Sequence, residues 1–154
     1  MQERESWKKL STGEKVDLLS YLADWIGANP GYRIYIGCDS KNSSTKTVFV
    51  TVIVLHYPRG GGHVIFQKML TDRFQDRHRR LWQEVELSVS TAQFIMQHGI
   101  TTPDFIDIDL NPDPKYKSNS VLRSAVGLIE SIGLRPRYKS IHPWAVSVAD
   151  YICR

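Results

Sequence analysis

Residues 47–57 restrict the fold more than any other part of the chain. They read Thr-Val-Phe-Val-Thr-Val-Ile-Val-Leu-His-Tyr. Nearly every position is β-branched or aromatic, and polar residues do not alternate with apolar ones. Such a run predicts a strand covered on both faces, because an alternating pattern would leave one face to water. Two more strand-like runs flank it, at 32–38 and 63–70. The sequence Pro58-Arg59-Gly60-Gly61-Gly62 makes the turn between the second and third. Connections this short predict an antiparallel meander.

The remainder alternates. A helix is expected over 75–98, with Leu81, Val85, Val89, Ala92 and Met96 as its apolar stripe and Gly99 as its end. A fourth strand is expected over 105–110. Next comes a helix capped by Ser118 or Ser120, which buries Leu122, Ala125, Val126 and Ile129 and stops at Gly133. A fifth strand follows over 135–141, and then a last helix with Pro143 in its first turn and His142 before it. Ahead of the meander, Ser11 and Glu14 have the spacing of a capping box for a helix over 14–27. Val16, Leu19, Ala23 and Ile26 would share its inner face, and Asn29-Pro30-Gly31 would end it. The expected architecture is one α/β domain, 1–154. It has a mixed five-stranded sheet in the order β-β-β-α-β-α-β-α, flanked by helices, and a helical extension, 1–30, packed on it.

The chain has 154 residues, of which 42% are hydrophobic, enough for a core without disulfides or zinc. Its start, Met1 to Glu5, is charged and has no apolar run behind it. This argues against a secretory signal and predicts a cytoplasmic protein. No apolar stretch is long enough to suggest a membrane span. Cys38 and Cys153 lack CxxC spacing and read as two buried thiols. The formal net charge is +4, which suits a polyanion partner. Arg73, Arg77, His78, Arg79 and Arg80 gather before the long helix, and Lys115 and Lys117 stand in a second loop. Solvated helix starts and loops have the same composition.

Acidic residues at the ends of core elements are the candidates for chemistry. Asp39 follows the apolar run 34–38. A buried carboxylate there needs a partner or a cation, although Ser40, Asn42, Ser43 and Ser44 also suit a turn. On the long helix Glu84 and Glu86 point roughly 200° apart, so one site cannot use both. The inward positions that go with Glu84 are Val85, Ser88, Val89, Ala92 and Ile95. Those that go with Glu86 are less apolar, so Glu84 is preferred. Asp107 and Asp109 share one face of the fourth strand. Asp109 is nearer the carboxyl end, where open α/β sheets place their sites, and Asp107 is the reserve. Asp150 borders the packed face made by Ala145, Ala149 and Ile152. Each acid alone has an ordinary surface explanation. Together they supply one carboxylate from each of four elements, a hard oxygen set that selects Mg²⁺ or Mn²⁺.

The segments IYIGCDSK (34–41), LWQEVELSVSTA (81–92), DIDLNPDPKYKSN (107–119) and HPWAVSVADYIC (142–153) are similar to the YkuK-like family of bacterial ribonuclease H-like proteins. The resemblance runs from about Ser11 to the C-terminus. It implies that Asp39, Glu84, Asp109 and Asp150 bind two divalent metal ions. The implied reaction cleaves phosphodiester bonds in RNA, an RNA–DNA hybrid or structured DNA, leaving a 5′-phosphate and a 3′-hydroxyl. Under that reading Lys41, Arg77, Arg79, Arg80, Lys115 and Lys117 contact phosphates, and His142 is either a proton shuttle near Asp150 or a helix cap. Cys38 departs from the family pattern, which has Thr before Asp-Ser, and puts a thiol beside the site. Two other readings compete. One is a non-catalytic nucleic-acid- or protein-binding module on the same fold. The other treats the acids as structural ion pairs with nearby arginines.

Overall fold

The protein was analysed as a computed structural model that describes residues 2–109, 119–138 and 144–153. Two short strands come first, β1 (Gln2–Arg4) and β2 (Lys8–Lys9), followed by α1 (Leu18–Ala28). The meander is β3 (Arg33–Asn42), β4 (Lys46–His56) and β5 (Gly62–Asp72). The alternating part is α2 (Arg77–Gln97), β6 (Phe105–Ile108), α3 (Asn119–Ser131), β7 (Pro136–Tyr138) and α4 (Trp144–Cys153).

The mixed sheet runs β1-β5-β4-β3-β6-β7, with β2 also pairing on β5. The five expected strands are β3 to β7, in the expected order with the expected helices between them. The residues ahead of α1 lengthen the sheet to seven strands, because β1 and β2 pair antiparallel with β5. β3 is antiparallel to β4 and parallel to β6, and β6 is parallel to β7. The sheet therefore changes from antiparallel to parallel at β3.

β4 is covered on both sides, as its sequence requires. Ile53 and Leu55 pack with Ile34 and Ile36 of β3 and with Leu22, Val85, Ala92 and Ile129 of the helices on one face. Val50, Val52 and Val54 pack with Tyr35, Ala145 and Ala149 on the other. The sheet thus lies between α1, α2 and α3 on one side and α4 on the other. No helix among the described residues is long and apolar enough to cross a membrane.

Several boundaries differ from expectation. The Ser11–Glu14 capping box does not form. Gly13 takes φ 74° in a turn where its N–H donates to Lys9 O, and Lys9 N–H donates to Glu14 O. Asp17 caps α1 instead, accepting from Ser20 N–H. With the start moved, the buried face is Leu18, Leu22 and Trp25, while Ala23 is exposed. β3 does not stop before Asp39. Pairing with β4 continues through Asp39, Ser40, Lys41 and Asn42, and the turn comes at Ser43. Asp76 caps α2, accepting from His78 and Arg79 N–H. α3 begins at Asn119, so Ser120 lies inside it, while Ser118 and Pro143 lie outside the described residues.

Candidate functional site

The change of strand direction at β3 creates the site. Gly37 is the last residue of β3 that pairs with β6, and its partner is Asp107. Asp39 stands two residues beyond Gly37 in β3, which runs on against β4 to Asn42, and Asp109 stands two residues beyond Asp107, just past the end of β6. Asp150, from α4, brings its charge to bear on Asp39 from the face that α4 covers. Glu84 arrives from α2 on the other face. It is 6% exposed and accepts a hydrogen bond from the Ser40 hydroxyl. Arg80, one turn earlier, lies 3.4 Å from both the Ser40 carbonyl and its hydroxyl.

The electrostatics are those of crowded acids. Burial raises the Asp39 carboxyl to about 7, and the charges of Asp109 and Asp150 push the same way, against one hydrogen bond from the Ser40 backbone N–H. Burial also pushes Glu84 well above the usual carboxylate range, with Asp39 adding to it. The Ser40 hydroxyl and Arg80 pull in the opposite direction. Among the described residues, no group of three or more His, Cys, Asp or Glu side chains is arranged to hold a metal ion.

Asp107 has a different occupation. Its carboxylate receives Arg137 Nε at 2.8 Å, Arg137 Nη2 at 2.9 Å and the Ala145 N–H at 2.7 Å. Arg137 is paired with Asp107 in the β6–β7 register, and its guanidinium lies 4.3 Å from the Tyr35 ring centroid and 4.9 Å from that of Phe105. Asp107 therefore ties β6, β7 and the start of α4 together. The ion-pair reading holds for this acid, and both of its oxygens are committed. Glu86 is exposed, in contrast to Glu84.

Lys41, Arg77 and Arg79 are exposed and Arg80 is half-buried. Lys115, Lys117 and His142 lie outside the described residues. Both cysteines are free. The Cys38 and Cys153 thiols face the Asp39 carbonyl oxygen, at 3.8 and 3.6 Å. Burial pushes Cys38 far up and Cys153 up to about 12, so both stay protonated at neutral pH, the inert form of a thiol. Sequence reasoning missed two residues. Ser40 reads as a turn former, but it extends β3 and binds Glu84. Arg137 is an unremarkable basic residue until its strand register sets it against Asp107.

The family model described as ribonuclease H-like matches residues 18–154, from the first residue of α1 onward. No match was found among curated proteins or among solved structures. The family match covers most of the chain, and the strand and helix order agrees with it: the chain belongs to the ribonuclease H-like family.

Proposed function

We propose that this protein is a divalent-metal-dependent nuclease, of the YkuK-like branch of its family, that hydrolyses phosphodiester bonds in RNA, an RNA–DNA hybrid or structured DNA. The observation that carries this reading is the approach of Asp39, Glu84, Asp109 and Asp150, from four separate elements, to one end of the sheet.

The donor type is that of a hard-cation site, although among the described residues the side chains are not gathered around one. All four donors are carboxylates, and two of them are held partly or wholly buried against like charge. Asp39, Glu84, Asp109 and Asp150 would hold Mg²⁺ or Mn²⁺, two ions in the full reading. When bound, the metal supplies positive charge for phosphate oxygens and a more acidic water. The chain's own contribution is positional. The Ser40 hydroxyl and Arg80 orient Glu84. Lys41 and the exposed Arg77 and Arg79 stand near enough in sequence to these acids to contact substrate phosphates. Two free thiols suit a reducing, cytoplasmic setting.

The test is to incubate the purified protein with labelled RNA, an RNA–DNA hybrid and branched DNA in Mn²⁺, Mg²⁺ or EDTA, beside an Asp39→Asn variant. The expected outcome is cleavage that requires metal and falls at least about 100-fold in the variant, since even residues behind metal ligands cost 10–100-fold when changed. A folded protein that cleaves none of these would leave the second reading, a non-catalytic binding module.

A further inference from the structure

α2 presents a second built feature beside the carboxylates. Between its first turns and the start of α3 lies a cavity of about 600 Å³, within the usual range for small-ligand sites. Its α2 side is lined by Phe74, Arg79, Trp82, Gln83 and Glu86, and its α3 side by Ser120, Val121 and Ser124. Two aromatic rings, one guanidinium and several hydrogen-bonding ends is the set that binds a stacked base and its phosphate.

The aromatic walls are fixed in advance. The Phe74 ring meets Phe49 edge-on, with centroids 5.3 Å apart. Its backbone is held at both ends, the N–H donating to Thr47 Oγ1 at 2.9 Å and the carbonyl accepting from Asn42 Nδ2 at 3.2 Å. Trp82 is half-buried, with part of its ring packed on the core. Rings held this way lose little freedom on stacking. Arg79 is exposed and forms no ion pair among the described residues, and a second recess of about 340 Å³, also lined by Asp72, Arg73, Gln75 and Asp76, shares Phe74 and Arg79 with the first.

The position of Arg79 connects cavity and carboxylates. Arg80 reaches Ser40, next to Asp39, while Arg79, about 100° around the helix, lines the cavity. One helical turn therefore offers adjacent cations to a chain that crosses from one site to the other. We infer that the cavity between α2 and α3 binds an unpaired nucleotide of a single-stranded stretch of nucleic acid, its base stacked on Trp82 and Phe74 and its phosphate on Arg79. The inference rests on nucleic acid being the substrate at the carboxylate site, and it names the form that reaches that site: a strand with an unpaired segment.

The experiment measures binding of short fluorescein-labelled oligoadenylate by anisotropy in EDTA, so that cleavage plays no part. Trp82→Leu is expected to weaken binding about 5- to 100-fold, the range for losing one base–aromatic stack, and Trp82→Phe to retain most of it. Arg79→Ala is expected to lower the dependence of log Kd on log salt by about one charge. Arg59→Ala, in the β4–β5 turn, is the control for loss of a surface charge and should change neither. Arg79 is exposed, so its variant reports even if Trp82→Leu disturbs folding. Wild-type protein that does not bind oligoadenylate, or Trp82 and Arg79 variants that bind like Arg59→Ala, would overturn the inference. Metal-dependent cleavage is scored separately. Binding lost in the variants with no cleavage by wild type keeps the cavity and rejects the nuclease, and cleavage with binding unaffected in the variants does the reverse.

Discussion

Asp107 and Asp39 lie on neighbouring strands, on the same face, two positions apart in the pairing register, yet the structure treats them in opposite ways. Asp107 is 2% exposed and has a guanidinium and a backbone N–H on its oxygens. Burial raises its pKa, and Arg137 and the Ala145 N–H oppose that rise. Asp39 faces Asp109 and Asp150, so its neighbours add to the effect of burial instead of opposing it. The contrast shows that a buried acid on these strands becomes an ion pair where the next strand supplies a cation and is crowded by like charge where the next element supplies another acid. Sequence position alone does not separate the two cases, but pairing register does.

The largest expected effect breaks the Asp107 side of this comparison. Arg137→Leu leaves a buried carboxylate without its counter-charge and should cost about 3–5 kcal/mol. Thermal unfolding should register this as a drop of roughly 10–20 °C for a chain of this size. A drop of only a few degrees would mean that the ion pair does not organise β6, β7 and α4.

The next effect concerns pH in metal-free protein. The Asp39 pKa is about 7 in the folded state, above its usual carboxylate value, so the folded protein binds more protons than the unfolded chain between roughly pH 4 and 7. Stability from this group is full below about pH 4, falls as pH rises through that window, and is lost above about 7. After discounting for the solvent-open part of the carboxyl, the loss should be about 1–2 kcal/mol. Asp39→Asn, which cannot ionise, should flatten that slope and unfold at a higher temperature than wild type at pH 8. Denaturant titrations at pH 4.5, 6 and 8 would detect it, and equal slopes in the two proteins would remove Asp39 from the crowded set.

The smallest effect sharpens the comparison at Glu84. Ser40→Ala removes the hydroxyl that donates to the buried carboxyl. It should cost about 1 kcal/mol, a shift of a few degrees in melting temperature. A neutral result would show that Arg80 and water serve Glu84 equally well.

Much of this was legible in the sequence, for identifiable reasons. The β4 run could be read because a strand covered on both faces has no polar positions to blur it. Glu84 could be told from Glu86 because helical phase links a residue to its own buried stripe. What failed was local grammar overridden by distant pairing. Ser11 and Glu14 satisfy the capping spacing, but the segment around them is drawn into strand-like pairing with Trp7 and Lys8, and the cap passes to Asp17. The polar residues after Asp39 resemble a turn, but β4 is long enough to hold them in register for three more residues. Asp109 was preferred to Asp107 only from its place nearer the strand's carboxyl end, because what commits Asp107 elsewhere is Arg137, thirty residues away in sequence.

The two margins of the sheet are protected in different ways. On one side β7, three residues long among the described residues, opens with Pro136, which has no N–H to offer an incoming strand. On the other, β5 is eleven residues long and would expose a lengthy row of unpaired backbone groups, but the N-terminal segment is laid along it in two patches, β1 on Leu70 and its neighbours and β2 on Phe66 and Ile65. Those few residues act as a sacrificial selvage. Deleting them should leave the helices and the carboxylates where they are, yet turn the bared edge into a template for other chains, so that shortened protein is lost from solution by aggregation before it is lost by unfolding.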